Sequence, residues 1–115
     1  MEQLKLDVIT KAIDDKKGED IQIIETKEKS PFFDYVVVAT VQNSRQASSI
    51  ADEIEEKLSL IKETVHHVEG NTKESEWLLV DCNDIIVHLF SSNERLRVNI
   101  EELLTGKNNG SRKGS

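Results

Sequence analysis

The 115-residue sequence predicts an α/β protein of the α+β type: a mixed sheet of about five strands with helices packed on one face. Three observations predict it. Two segments repeat apolar residues at helical spacing on a single stripe, four or five segments are short and rich in β-branched residues, and Trp77 to Phe90 reads as a β-hairpin with two unlike faces. Helices with one stripe each cover one side of a sheet, so the second side is left for something else.

The elements follow in order. Residues 2–17 place Leu6, Ile9 and Ile13, with Val8 and Ala12 beside them, at helical spacing, and Lys16-Lys17-Gly18 supplies cations and a glycine stop. Ile21 to Thr26 and Asp34 to Thr40 are strands, separated by Ser30-Pro31, which forbids one continuous element. Tyr35-Val36-Val37-Val38-Ala39 is apolar throughout, as expected of a central strand covered at least partly on both faces. Asn43 or Ser44 caps a long helix whose stripe is Ala47, Ile50, Ala51, Ile54, Leu58 and Ile61. Val65 to Val68 is a short strand, and Gly70 to Glu76 a polar loop. After the hairpin, Asn93 to Leu104 fits one or two short helical turns with Leu96, Ile100, Leu103 and Leu104 available for packing. Residues 1–105 form a single domain. Gly106 to Ser115 has no apolar residue and is expected to be a disordered basic tail.

In the hairpin, Cys82 and Asn83 are the expected turn residues, because asparagine tolerates positive φ. That turn pairs Asp81 with Asp84, Val80 with Ile85, Leu79 with Ile86, Leu78 with Val87 and Trp77 with His88. One face is then aliphatic, carrying Leu78, Val80, Ile85, Val87 and Leu89. The other carries Trp77, Leu79, Asp81, Asp84, Ile86, His88 and Phe90, a mixture closer to a recognition surface than to a core.

Composition narrows the function classes. The chain has 22 acidic and 15 basic residues, a net charge of −7, and every acidic residue precedes Thr105. Twelve basic residues share that body with the acidic ones, a balance of −10, which repels phosphate backbones and disfavours extensive direct nucleic-acid binding. A basic protein partner is attracted instead. No apolar run reaches the roughly 18 residues of a membrane span, and the first residues lack a basic-then-apolar secretory pattern. Together with the lone Cys82, this predicts a cytoplasmic protein with neither a disulfide framework nor a multi-cysteine metal site.

Asp81, Asp84 and His88 have a spacing that metal ligands or an acid/base set could share, but turn aspartates more commonly cap backbone amides. His66 and His67 are the other histidines, and neighbours on a strand point to opposite faces, so at most one of them could join His88. The five glycines are isolated from one another, so there is no phosphate-binding glycine loop. No cofactor or metal is predicted. Trp77, as a sole tryptophan, fits a buried core position or an interface anchor, and its neighbours Asp81 and His88 favour the second.

Several motifs in consistent order carry a family resemblance. They are Ser30-Pro31-Phe32-Phe33-Asp34-Tyr35-Val36-Val37-Val38-Ala39-Thr40, then Ser44-Arg45-Gln46 with Ile50-Ala51-Asp52, and Glu69-Gly70. Trp77-Leu78-Leu79-Val80-Asp81, Asp84-Ile85-Ile86-Val87-His88-Leu89-Phe90, and Arg95 with Glu101 and Leu103 complete the set. Over about residues 4–104 the chain resembles the ribosomal silencing factor family, also called Iojap-like. The resemblance implies a non-enzymatic regulator with a nucleotidyltransferase-like core that binds the large ribosomal subunit through ribosomal protein fourteen. There it sterically blocks joining of the small subunit and represses translation under nutrient limitation. The partner surface it implies is Trp77, Leu79, Asp81, Asp84, Ile86 and His88, with Phe90 at the edge. Trp77 would be the anchor, the two aspartates acceptors for basic residues, and His88 a support for the indole or the partner.

The transferase Gly-Ser and Asp-x-Asp signature is missing. The chain also departs from the family pattern at Val41-Gln42 and Asn83, where glycine is usual, and at Val98 and Leu104, where aromatic residues are usual. Two rival readings are a metal-dependent nucleotidyl- or phosphotransferase using Asp81, Asp84 and His88, and a dimeric scaffold whose Trp77 face pairs with itself. That face would equally suit a homodimer of the free protein.

Overall fold

The structure, a computed structural model, describes residues 2–28, 31, 33–70 and 77–97. The order is α1 (Glu2–Asp15), β1 (Glu19–Glu25), β2 (Tyr35–Val41), α2 (Ser44–Ser59), β3 (His67–Glu69), β4 (Trp77–Asp81), β5 (Ile85–Ser91) and α3 (Ser92–Arg97). The strands form one mixed sheet in the order β1-β2-β5-β4-β3. Only β2 and β5 run parallel. This is the predicted architecture. Residues 71–76 of the expected polar loop, the end of the C-terminal helical turns, including Val98 and Leu104, and the basic tail lie outside those described.

Both stripes predicted for the long helices are buried against the same side of the sheet. Leu6, Ile9, Ala12 and Ile13 of α1 and Ala47, Ile50, Ala51, Ile54 and Leu58 of α2 join Val37, Ala39, Val80, Ile85, Val87 and Leu89 in one core. Alternation along β2 sends Val36 and Val38 to the opposite side, where they meet Ile86 and Phe90 in a second apolar cluster. The uninterrupted apolar run of β2 therefore serves two clusters. No helix among the described residues is long and apolar enough to cross a membrane.

The helix ends are specified locally. Asn43 caps α2, its side chain accepting from the Gln46 N–H at 2.7 Å, while the Gln46 side chain accepts from the Gln42 N–H and donates to Lys16 O. Gln46 thus joins the start of α2 to the end of α1. The glycine stop expected at the end of α1 works differently too. Lys17 takes the left-handed conformation, φ 69°, and the Gly18 N–H returns to Ile13 O at 2.9 Å. Gly18 is needed for space, since a Cβ there would collide with Ile13 Cγ2. Lys62 repeats the pattern after α2, with φ 64° and a Glu63 N–H bond to Leu58 O at 2.9 Å.

One buried cation ties the layers together. Lys5, 4 % exposed, donates through Nζ to Cys82 O at 2.6 Å and to Asp84 Oδ1 at 2.7 Å, and forms an ion pair with Glu63 at 3.3 Å. Burial alone would lower its pKa, but Asp84 and Glu63 outweigh that cost and the ammonium is held above its ordinary value. It fastens α1 to the β4–β5 turn and to the segment after α2.

Candidate functional site: the second face of the sheet

The hairpin forms, with a different register from the one expected. Trp77 lies opposite Phe90, Leu79 opposite His88, Val80 opposite Val87 and Asp81 opposite Ile86. The turn residues are Asn83 and Asp84, closed by the Cys82 N–H bonding Ile85 O at 2.9 Å. Asn83 takes the left-handed conformation with φ 76°, as its chemistry suggested. Cys82 leaves the turn because its small apolar side chain is fully buried in the helix-side core, in line with Leu78 and Val80. That burial pushes its thiol up to about 12, against the opposing pull of Lys5. The pairing slips by two residues, an even number, so every side chain keeps the face predicted for it except in the turn itself.

Asp84 is the exception. Expected on the Trp77 face, it instead meets the buried Lys5 of α1 at 2.7 Å, because the turn carries it toward that cation. Asp81 accepts from the Asn83 N–H at 2.9 Å, the capping role weighed for turn aspartates. The third member of the suspected trio, His88, is engaged by Trp77. The three groups do not converge. Among the described residues no cluster of three or more His, Cys, Asp or Glu side chains is placed to hold a metal ion.

What the second face does build is an aromatic group. Trp77, half-buried, donates its Nε1–H to His88 Nδ1 at 3.0 Å. Its ring lies 4.9 Å from that of Phe90 and 5.6 Å from that of His88, tilted by about 50° in both cases. His88 and Phe90 are parallel, 3° apart with centroids 5.8 Å from each other. Burial drives the His88 pKa down to about 4, so the imidazole is neutral at pH 7 and free to accept the indole proton.

Depth separates residues that the sequence placed together. Trp77, Leu79 and Asp81 are partly exposed, Ile86 and His88 are 8 % and 6 % exposed, and Phe90 is fully buried. Phe90 therefore cannot sit at the contact edge as expected. It supports Trp77 and His88 from below, because β5 is the central strand and the indole covers it.

The face also recruits residues that hairpin reasoning missed. Phe33 and Ile24 pack on the same cluster as Val36 and Val38. A concavity of about 410 Å³ is lined by Phe33, Val36, Leu79, Ile86, Trp77 and His88, with Glu69 and Gly70 from the end of β3. The alternation of β2 could have supplied Val36. Phe33 precedes the strand and has no periodicity to reveal it. The arrangement is an apolar hollow with an indole at one side and carboxylates on neighbouring strands, suited to gripping a protein surface.

Known proteins resemble this chain in sequence and in fold. The family described as "Ribosomal silencing factor during starvation" matches across residues 1–113. A ribosomal silencing factor of Zymomonas mobilis is 31 % identical over 101 residues, covering 88 % of this chain and 75 % of its own length. That of Bacillus subtilis is 34 % identical over 98 residues, covering 85 % and 82 %. A crystal structure of a Chromobacterium violaceum protein superposes with a TM-score of 0.81 at 30 % identity, covering 89 % of this chain and 84 % of that one. The match spans the core, both long helices and the hairpin that carries the aromatic group, and the chain belongs to the ribosomal silencing factor family.

Proposed function

We propose that this protein represses translation in the cytoplasm by binding the large ribosomal subunit through ribosomal protein fourteen and sterically blocking the small subunit, under nutrient limitation. The observation that carries the reading is the Trp77 face: a partly exposed indole held by His88 and Phe90 beside an apolar hollow. An aromatic anchor on a rigid support is the usual centre of a protein interface. The net charge of −7 favours a basic ribosomal protein and disfavours extensive contact with RNA phosphates. Blocking by occupancy needs no chemical step, metal or cofactor.

Sedimentation of the purified protein with isolated large subunits, beside small subunits, tests this. Comigration with large subunits alone is expected. Trp77→Ala should weaken it by about 2 kcal/mol or more, roughly thirtyfold, while the fold is retained. Equal binding by that variant would remove Trp77 from the interface. No comigration at micromolar concentration would leave the dimeric scaffold as the better reading.

A further inference from the structure

An imidazole has two nitrogens, and the indole accounts for only one of them in His88. Nδ1 accepts the Trp77 Nε1–H at 3.0 Å. Indole nitrogen is a donor only, so the neutral ring carries its own proton on Nε2. Among the described residues nothing accepts that Nε2–H, although His88 is only 6 % exposed and borders the concavity. Buried donors are nearly always satisfied, and one left open beside a hollow points to an acceptor arriving from outside.

The surroundings select the acceptor. Phe33, Val36, Leu79 and Ile86 make most of the lining apolar, while Glu69 also borders it and Asp81 lies further along β4. A carboxylate or phosphate would be buried beside like charge on a chain of net charge −7, and is disfavoured. A neutral carbonyl oxygen meets no such penalty. We infer that His88 is a specificity-determining residue, its Nε2–H donating to a main-chain carbonyl of a protein partner whose adjacent aliphatic side chain fills the hollow lined by Phe33, Val36, Leu79 and Ile86. Basic residues flanking that aliphatic side chain would face Glu69 and Asp81. This inference rests on the large-subunit reading and names the chemistry that the same site recognises.

Two substitutions divide the ring's functions. Asparagine places an acceptor near the Nδ1 position and has nothing at Nε2, whereas glutamine places an amide donor near Nε2 and gives up the Nδ1 acceptor. Binding of isolated large subunits is measured for wild type, His88→Asn and His88→Gln, with near-ultraviolet circular dichroism of the sole tryptophan reporting the indole's packing. The expected result is that His88→Asn keeps the indole signal but binds about tenfold more weakly, as the loss of one buried hydrogen bond predicts. His88→Gln should disturb the indole signal and still bind more tightly than His88→Asn.

Wild-type binding by His88→Asn would overturn the inference and leave the large-subunit reading intact. If His88→Asn loses the indole signal, the comparison with His88→Gln decides, and glutamine binding no better than asparagine overturns it. Failure of the wild type to bind removes both. A wild-type dimer that His88→Asn splits, with subunit binding unchanged, would assign the hollow to a second copy and also overturn the inference.

Discussion

Acid should loosen this fold through one histidine. His88 titrates at about 4 in the folded protein and at an ordinary 6.5 once exposed. Between those values the unfolded chain takes up a proton that the folded chain refuses, so unfolding gains free energy as pH falls. The contribution is fully present above 6.5, is lost progressively down to about 4, and is constant below that. At 1.36 kcal/mol per pH unit, the interval corresponds to about 3 kcal/mol, of which about 2 kcal/mol is gone between pH 7 and 4.5. Urea unfolding followed by Trp77 fluorescence measures it directly, because Trp77 is the only tryptophan and its indole nitrogen touches the titrating ring. Carboxylates also titrate near the lower end of that range, so the quantity to compare is the difference from His88→Asn, which has no proton to take up there. Wild type should lose about 2 kcal/mol more than His88→Asn over that interval. Parallel stability curves for the two proteins would refute the assignment of a buried, neutral imidazole.

Other perturbations test the frame around the site. Lys5→Met leaves Cys82 O without its ammonium donor and Asp84 and Glu63 without their cation, and should cost about 2 kcal/mol in urea unfolding; an unchanged midpoint would mean the buried ion group contributes nothing net. Asn83→Val forces a β-branched residue to φ 76° and should cost about 1–2 kcal/mol, whereas Asn83→Gly should be near neutral, as thermal melts of the pair would show. Asp81→Lys removes the acceptor for the Asn83 N–H and reverses a charge on the proposed contact face, so it should weaken large-subunit binding; equal or tighter binding would sink the charge assignment.

The faces of the hairpin were legible in the sequence although its register was not. Side chains alternate with a period of two, so a slip from Cys82-Asn83 to Asn83-Asp84 moves each partner along without turning any strand over. Asp84 was misplaced because its partner stands 79 positions away on another element, a distance no local pattern spans. One clue was present: Lys5 precedes Ile9 and Ile13 at four-residue intervals, which sets it on the buried stripe of α1. Phe90 shows a different gap. Alternation gives the side of a sheet on which a residue lies and says nothing of its depth, which depends on strand order and on Trp77 lying across it.

The place of β5 in the sheet has a consequence for recognition. Paired along its length with β2 on one side and with β4 on the other, it also contributes alternate residues to both apolar clusters. Amide exchange along β5 should therefore require openings that disrupt most of the domain, and His88 and Phe90 are expected among the slowest-exchanging residues in a hydrogen-exchange measurement. A partner that bound the proposed face would meet side chains held by this framework, and the entropy of ordering would fall mainly on the partner's own residues. Affinity at such a surface is lost mainly by changing what it presents, and hardly by making it more mobile.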